Sequence, residues 1–150
     1  MKHQRQSIIF KIHDELSQRL ALSIQQRDDL ILSRNEDTKS SAADKYETSR
    51  EMVQQEIDHI ESQIFNQKLL LQELKEIRMS KISDSIQKGS IIETEKSLFF
   101  LGIGLGKIVT DDSEIFAISL ASPLGQLFIG KKAGDEVALG NNSHKVVAVY

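Results

Sequence analysis

The chain has 150 residues, of which 39% are hydrophobic, 5% aromatic and 27% charged, and it contains neither Cys nor Trp. The lack of Cys excludes disulfides, thiolate zinc sites and thiol nucleophiles. A formal net charge of only -3 gives no basic field for binding free DNA or RNA. The few large hydrophobic residues favour a small domain joined to an extended element over one thick core.

The first residues lack the apolar core of a signal peptide, because Lys11, His13 and Asp14 interrupt the apolar positions. No segment reaches the roughly 20 apolar residues that a membrane-spanning helix needs. We therefore expect a soluble, cytoplasmic protein with no membrane contact.

The first predicted element is an amphipathic helix from about Gln6 to Arg34, a segment with neither Pro nor Gly. Its hydrophobic residues recur on one helical face, at Ile9, Ile12, Leu16, Leu20, Ile24 and Ile31. Residues 35–45 contain no large apolar side chain and are predicted as an exposed turn.

A second hydrophobic stripe follows with a period close to 3.5 residues, at Val53, Ile57, Ile60, Ile64, Leu71 and Leu74, with the polar Gln67 in the same row. Each helix would be on the order of 45 Å long, and a short turn makes the two antiparallel. Periodicity alone equally permits a coiled-coil dimer. Because each stripe is thin and the two are similar in length, we predict an intramolecular helical hairpin over residues 1–79 and a monomer.

The rest of the chain is predicted as a linker, residues 80–89, and a small β-rich domain, residues 90–150. Short segments rich in Ile, Val and Phe predict five strands, at 90–94, 98–103, 115–120, 136–139 and 145–149, with a hairpin loop at 140–143 and a tight turn within 102–106. Ser122 as N-cap, Pro123 at the first helical position and Gly130 at the end predict one short helix. Its Leu124, Leu127 and Phe128 are expected to face the sheet.

Residues 118–137 read ISLASPLGQLFIGKKAGDEV, and this run resembles the signature of the Gre-type transcription elongation factors. In that family a strand leads through Ser-Pro into a short helix, Gly-Lys and an acidic turn. The resemblance implies an α+β fold, with an N-terminal antiparallel α-helical coiled-coil hairpin followed by a small FKBP-like β-rich domain.

The resemblance also implies bacterial RNA polymerase as the partner, with DNA and RNA contacted only through the polymerase. Gre factors dock the β domain at the rim of the secondary channel and pass the hairpin tip toward the active site. The partner-binding segment implied here comprises Ser122, Pro123, Leu124, Gly125, Gly130 and Lys131. The alternative for Lys131 is simple charge complementation of a helix C-terminus.

At the tip, the cleavage-stimulating Gre factors carry acidic residues that help to hold Mg²⁺ in the polymerase active site, since Mg²⁺ prefers carboxylate oxygens. Alignment on Tyr46 and the pair Arg50-Glu51 places Lys39 and Ala42 at those positions. A shifted loop would instead offer Asp37 and Asp44 as ligands of this shared Mg²⁺, although such residues more often are solvated or cap a helix. We expect no intrinsic cofactor, no active site in the chain itself, and weak or no stimulation of transcript cleavage.

Two other functions compete with this interpretation. One is a coiled-coil adaptor that dimerises, binds another protein through its β domain and has no role in transcription. The other, an FKBP-like prolyl isomerase, is the weakest, because most of the aromatic residues available for a pocket are needed in the core; these are Phe99, Phe100, Phe116, Phe128 and Tyr150.

Overall fold

The computed structural model describes the backbone of residues 2–37, 43–110 and 112–150, and the side chains of residues 4–36, 48–110 and 112–150. Two long helices, α1 (Lys2–Asp37) and α2 (Ala43–Met79), precede a mixed β-sheet. The predicted α+β class is therefore confirmed. The predicted turn over 35–45 was too long at both ends, because residues such as Glu36 and Ala43 are good helix formers even without large apolar neighbours.

Contacts along the chain define two compact units. The hairpin unit comprises Leu16–Leu71, and the sheet unit comprises Met1–Glu15 together with Gln72–Tyr150. The first turns of α1 and the last turns of α2 thus belong to the sheet unit.

Within the hairpin unit the two helices run antiparallel. The guanidinium Nη1 of Arg34, near the end of α1, donates a 2.6 Å hydrogen bond to Oε1 of Gln54, early in α2. Leu16, Ile57, Ile60 and Ile64 are buried, whereas the other predicted members of the α1 stripe in this unit, Leu20, Ile24 and Ile31, are only half-buried. The predicted polar position in the seam is also found, since Gln67 Oε1 is buried and has no hydrogen-bond partner in the described part of the chain.

The described residues of the β region form a six-stranded sheet in the order β3-β4-β2-β1-β6-β5. Its strands are β1 (Ile91–Thr94), β2 (Leu98–Gly102), β3 (Gly106–Val109), β4 (Glu114–Ser119), β5 (Glu136–Leu139) and β6 (Asn142–Val149), and the short helix α3 (Pro123–Phe128) lies between β4 and β5. β2 and β4 pair in parallel, and the other neighbours are antiparallel.

Strand β3 was missed by the sequence prediction, which placed a tight turn within 102–106 and assigned no element to the three residues that follow it. Gly106 begins β3 with a φ of +76°, and the strand buries one side chain, Ile108. An edge strand of this kind carries almost no periodic signal. The loop between β5 and β6 is also tighter than predicted, because Leu139 pairs directly with Asn142 and Gly140 provides the positive φ of the two-residue turn.

Successive strand residues point to opposite sides of the sheet, and buried residues lie on both of its faces. On one face α3 contributes Phe128 to a core of buried residues from the 80–89 segment and the strands, namely Ile86, Ile92, Phe99, Leu101, Val137 and Val146. On the other face lie Ile91 and Phe100, which are fully buried register partners. The end of α2 covers this second face, since a Cβ added at Gly102 would lie 2.9 Å from Ile77 Cδ1 and 3.4 Å from the Phe100 ring.

The segment predicted as a linker is ordered by hydrogen bonds within the sheet unit. Ile86 exchanges backbone hydrogen bonds with the residues that follow α3, donating to Lys131 O and accepting from Gly130 N. Arg5 of α1 donates to the carbonyl oxygens of Ile77 and Gly89 at 3.1 and 3.2 Å. Burial lowers the pKa of this guanidinium. Arg5 therefore joins α1, the end of α2 and the start of the β region.

Candidate partner-binding surface

The start of α3 is fixed by Ser122, as predicted. Its hydroxyl accepts a 3.0 Å hydrogen bond from Gly125 N and donates a 2.7 Å bond to Ser119 O. Pro123 occupies the first turn, where its missing N–H costs nothing. The Ser-Pro pair thus fixes the backbone conformation of the connection between β4 and α3.

Gly125 and Gly130 have backbone roles in the same segment. A Cβ added at Gly125 would lie 2.2 Å from Ser119 O, so this position has no room for any side chain. Gly130 has a φ of +81°, the left-handed conformation that commonly terminates a helix. Ser122, Gly125 and Gly130 therefore shape the surface.

The side chains that this segment exposes are only partly those predicted. Pro123 and Lys131 are exposed, while Leu124 is half-buried against the core. Leu127 was expected to face the sheet but is 36% exposed, and Ile129 is 43% exposed. We define the α3 ledge as Pro123, Leu127, Ile129 and Lys131. The helical rotation of about 100° per residue could have indicated the exposure of Leu127. Phe128 points into the core, so the preceding residue, Leu127, must point away from it.

The aromatic side chains behind α3 pack on one another. The Phe99 ring centroid lies 5.6 Å from that of Phe116 and 5.3 Å from that of Phe128, and His144 meets Phe99 edge-on at 5.4 Å. Burial, followed by the charge of Lys96, lowers the pKa of His144. Because Phe99 and Phe128 are buried, these rings fill the core beneath the α3 ledge.

The predicted metal ligands lie at the other candidate region, the hairpin tip. Asp37 ends α1 and Asp44 lies in the first turn of α2, but their side chains lie outside the described residues, as do Lys39 and Ala42 entirely. Among the described side chains, no group of three or more His, Asp or Glu residues has the geometry of a metal site. Close to the tip, a cavity of about 460 Å³ is lined by Arg34, Arg50, Glu51 and Gln54.

Comparison of the chain with protein-family models finds no matching family, and comparison with curated proteins finds no match either. In the part of the chain that the structure describes, no helix combines the length and the apolar character needed to cross a membrane. The fold and the exposed side chains must therefore carry the functional argument.

Proposed function

We propose that the chain is a Gre-type regulator that binds bacterial RNA polymerase and acts on transcription elongation through the secondary channel. The observation that supports the proposal is the combination of a long antiparallel helix pair with a mixed sheet. The Ser122–Lys131 segment of the sheet unit begins with the Ser122 hydrogen bonds and exposes the α3 ledge. In this proposal the domain of residues 90–150 is FKBP-like, and DNA and RNA are met only inside the polymerase.

The α3 ledge is the polymerase-docking surface in this proposal. Its apolar residues Leu127 and Ile129 lie beside the cationic Lys131, and all three are exposed. Apolar area flanked by a charge is typical of surfaces that bind another protein. Ser122 and Gly125 keep the ledge in place and do not themselves present side chains to the partner.

Binding to purified bacterial RNA polymerase core tests the docking surface. We expect Leu127→Asp and Lys131→Glu to weaken binding at least tenfold each, because one removes apolar burial and the other reverses a charge. Lys145→Glu is the matched control, since Lys145 is also an exposed β-domain lysine. The docking proposal fails if the unmodified protein does not bind, or if the control weakens binding as much as Lys131→Glu.

The proposed effect of the tip is modulation of the polymerase with little or no transcript cleavage. A Lys in the register of an acidic ligand repels Mg²⁺ and supplies no acceptor. In a cleavage assay on backtracked complexes, we expect weak activity from the unmodified protein and a gain when Lys39→Asp is combined with Ala42→Glu. Strong activity of the unmodified protein that is lost in Asp37→Asn or Asp44→Asn would instead assign the Mg²⁺ ligands to those two residues.

A coiled-coil adaptor remains the second candidate function, and exposed apolar residues on α2 favour it. Phe65 is 63% exposed and Leu69, one turn later, is 53% exposed, so this face offers a second apolar strip. Light scattering over a range of concentrations discriminates the two functions. The polymerase regulator is expected to be a monomer, whereas a dimer that Phe65→Glu dissociates would favour the adaptor.

A further inference from the structure

His144 is an ionisable side chain set among the apolar residues beneath α3. Its ring meets the Phe99 ring edge-on, with the centroids 5.4 Å apart, and its centroid lies 6.3 Å from that of Phe128. In the sheet, His144 is the register partner of Val137, which is buried in the same core. The docking proposal uses the side chains that α3 exposes and assigns no role to this histidine.

The ring nitrogen Nδ1 of His144 is buried and has no hydrogen-bond partner among the described residues. A neutral imidazole can leave this nitrogen as an unprotonated acceptor, whereas an imidazolium carries an N–H on both nitrogens. Protonation therefore places a buried donor against apolar neighbours, an arrangement that is rare in folded proteins. Because the residue as a whole is half-buried, the charged ring can bring this N–H to water by turning toward the solvent.

The charges on the segments around His144 do not favour an imidazolium. Lys96 donates from Nζ to the carbonyl oxygen of Ser143 at 3.0 Å, and Glu136 accepts a hydrogen bond from the Ser143 hydroxyl. α3 contains no titratable side chain. Burial and then Lys96 lower the pKa of His144, so it takes up its proton below the ordinary value of about 6.5. The other charged residues on the neighbouring segments are Glu95, Lys131, Lys132, Asp135 and Lys145.

The position of α3 on the sheet depends on the residues beside His144. The helix has only six residues, too few to be stable without tertiary packing. Its Phe128 is fully buried and packs on the rings of Phe99 and His144. A His144 ring that turns toward the solvent leaves a gap beside Phe128, and close-packed neighbours shift when such a gap opens.

We propose that His144 is a proton-operated switch beneath the α3 ledge. When the ring gains its second proton, it leaves its place beside Phe99 and Phe128 for the solvent, and α3 shifts on the sheet. The ledge residues Leu127 and Ile129 move with the helix, so a partner that fits the ledge at neutral pH binds less well in acid. The effect on docking rests on the proposed function, whereas the movement of α3 belongs to the free chain.

Titration of the ¹⁵N-labelled full chain from pH 7.5 to 5, followed by NMR, tests the movement of α3. The proton signals of the His144 ring give the midpoint of its protonation. The backbone amides of the helix and the ledge should shift with the same midpoint, at Leu127, Phe128 and Ile129. Nuclear Overhauser contacts between the rings of His144 and Phe99 should be present at pH 7.5 and lost below the midpoint. Contacts that persist in the protonated protein overturn the proposal, because the ring then stays in the core.

Three variants separate the switch from other effects of pH. His144→Phe keeps an aromatic ring in the core and takes up no proton, so it should abolish the shifts of the α3 amides. His59→Gln, at an exposed position of α2, is the matched control and should leave them unchanged. Lys96→Gln removes a charge that opposes protonation, so the shared midpoint should move to higher pH, a test that holds even if His144→Phe fails to fold. Shifts that persist in folded His144→Phe, or that do not follow the His144 ring signals in Lys96→Gln, overturn the proposal.

Binding to bacterial RNA polymerase core at pH 7.5 and 5.5 tests the consequence for docking. His144→Phe corrects for any effect of pH on the polymerase, and relative to this variant the unmodified protein should lose affinity about threefold or more at pH 5.5. An unchanged affinity ratio overturns the link between the switch and docking. Lack of binding at pH 7.5 instead contradicts the proposed function, while the titration of the free chain still decides the switch.

Discussion

The sheet unit and the hairpin unit bury their hydrophobic residues very differently. Of the buried hydrophobic residues in the described part of the chain, only Leu16, Ile57, Ile60 and Ile64 belong to the hairpin unit, and all others belong to the sheet unit. The hairpin unit is a single seam between two helices, whereas the sheet unit packs both faces of its sheet. The stability of the hairpin unit should therefore depend on a few side chains, and that of the sheet unit on close packing.

The largest expected effect comes from placing a charge in the hairpin seam. Ile60 is 6% exposed, and Ile60→Asp should cost on the order of 4 kcal/mol, since it buries an unpaired carboxylate. Circular dichroism should show a loss of helix, while the NMR amide signals of the β strands persist. Ser62→Asp, at an exposed position of α2, should change little.

The same variant tests whether the hairpin unit and the sheet unit unfold separately. If Ile60→Asp removes the helix signal and the strand signals in one shared transition, the two units fold as one. The seam residue Leu71 is half-buried, and Leu71→Asp should act in the same direction with a smaller effect.

A somewhat smaller effect is expected from overpacking the sheet unit. Gly125→Ala places a methyl group 2.2 Å from Ser119 O, so the α3 turn must shift, at a cost of about 2 kcal/mol. Gly104→Ala is the matched control, because its nearest neighbour would be at 3.4 Å. Urea unfolding followed by the β-strand signals measures both changes. Equal midpoints for the two variants would contradict the tight packing of α3 on β4.

The hairpin seam should also be open to stabilisation. Gln67→Leu replaces a side chain whose buried oxygen has no partner in the described part of the chain, and we expect a gain of about 1 kcal/mol. Gln55→Leu, at an exposed position of α2, serves as the control. Thermal unfolding followed by circular dichroism measures the gain. A loss of stability in Gln67→Leu would show that the amide contributes to pairing of the helices.

The smallest expected effect is a pH dependence confined to the sheet unit. Because burial and then Lys96 lower the pKa of His144 below 6.5 in the folded state, the unfolded chain binds the proton more readily. The contribution of neutral His144 to stability is complete above about pH 6.5 and is lost as the pH falls through the lower folded pKa. Urea midpoints measured from pH 7.5 to 5 should fall, and His144→Phe should reduce the slope. His59→Gln, at an exposed position, should leave the slope unchanged; a slope that His144→Phe does not alter would assign the effect to other groups.

The sequence by itself determined the features that depend on local chemistry. The helical stripes, the polar Gln67 within the α2 stripe and the Ser122-Pro123 start of α3 were all predictable, because periodicity and capping act over a few neighbouring residues. The same local reasoning placed five strands within a few residues of their observed positions.

Only the tertiary structure decided which side chains are exposed and which are buried. The parallel pairing of β2 with β4 joins segments that are separated in sequence, and Leu127 is exposed because no other described segment covers it. The partners of Arg5 lie 72 and 84 residues away, a separation that no periodic pattern encodes. Burial depends on what packs against a residue, so local patterns predict the elements, whereas only their packing against one another defines the candidate sites.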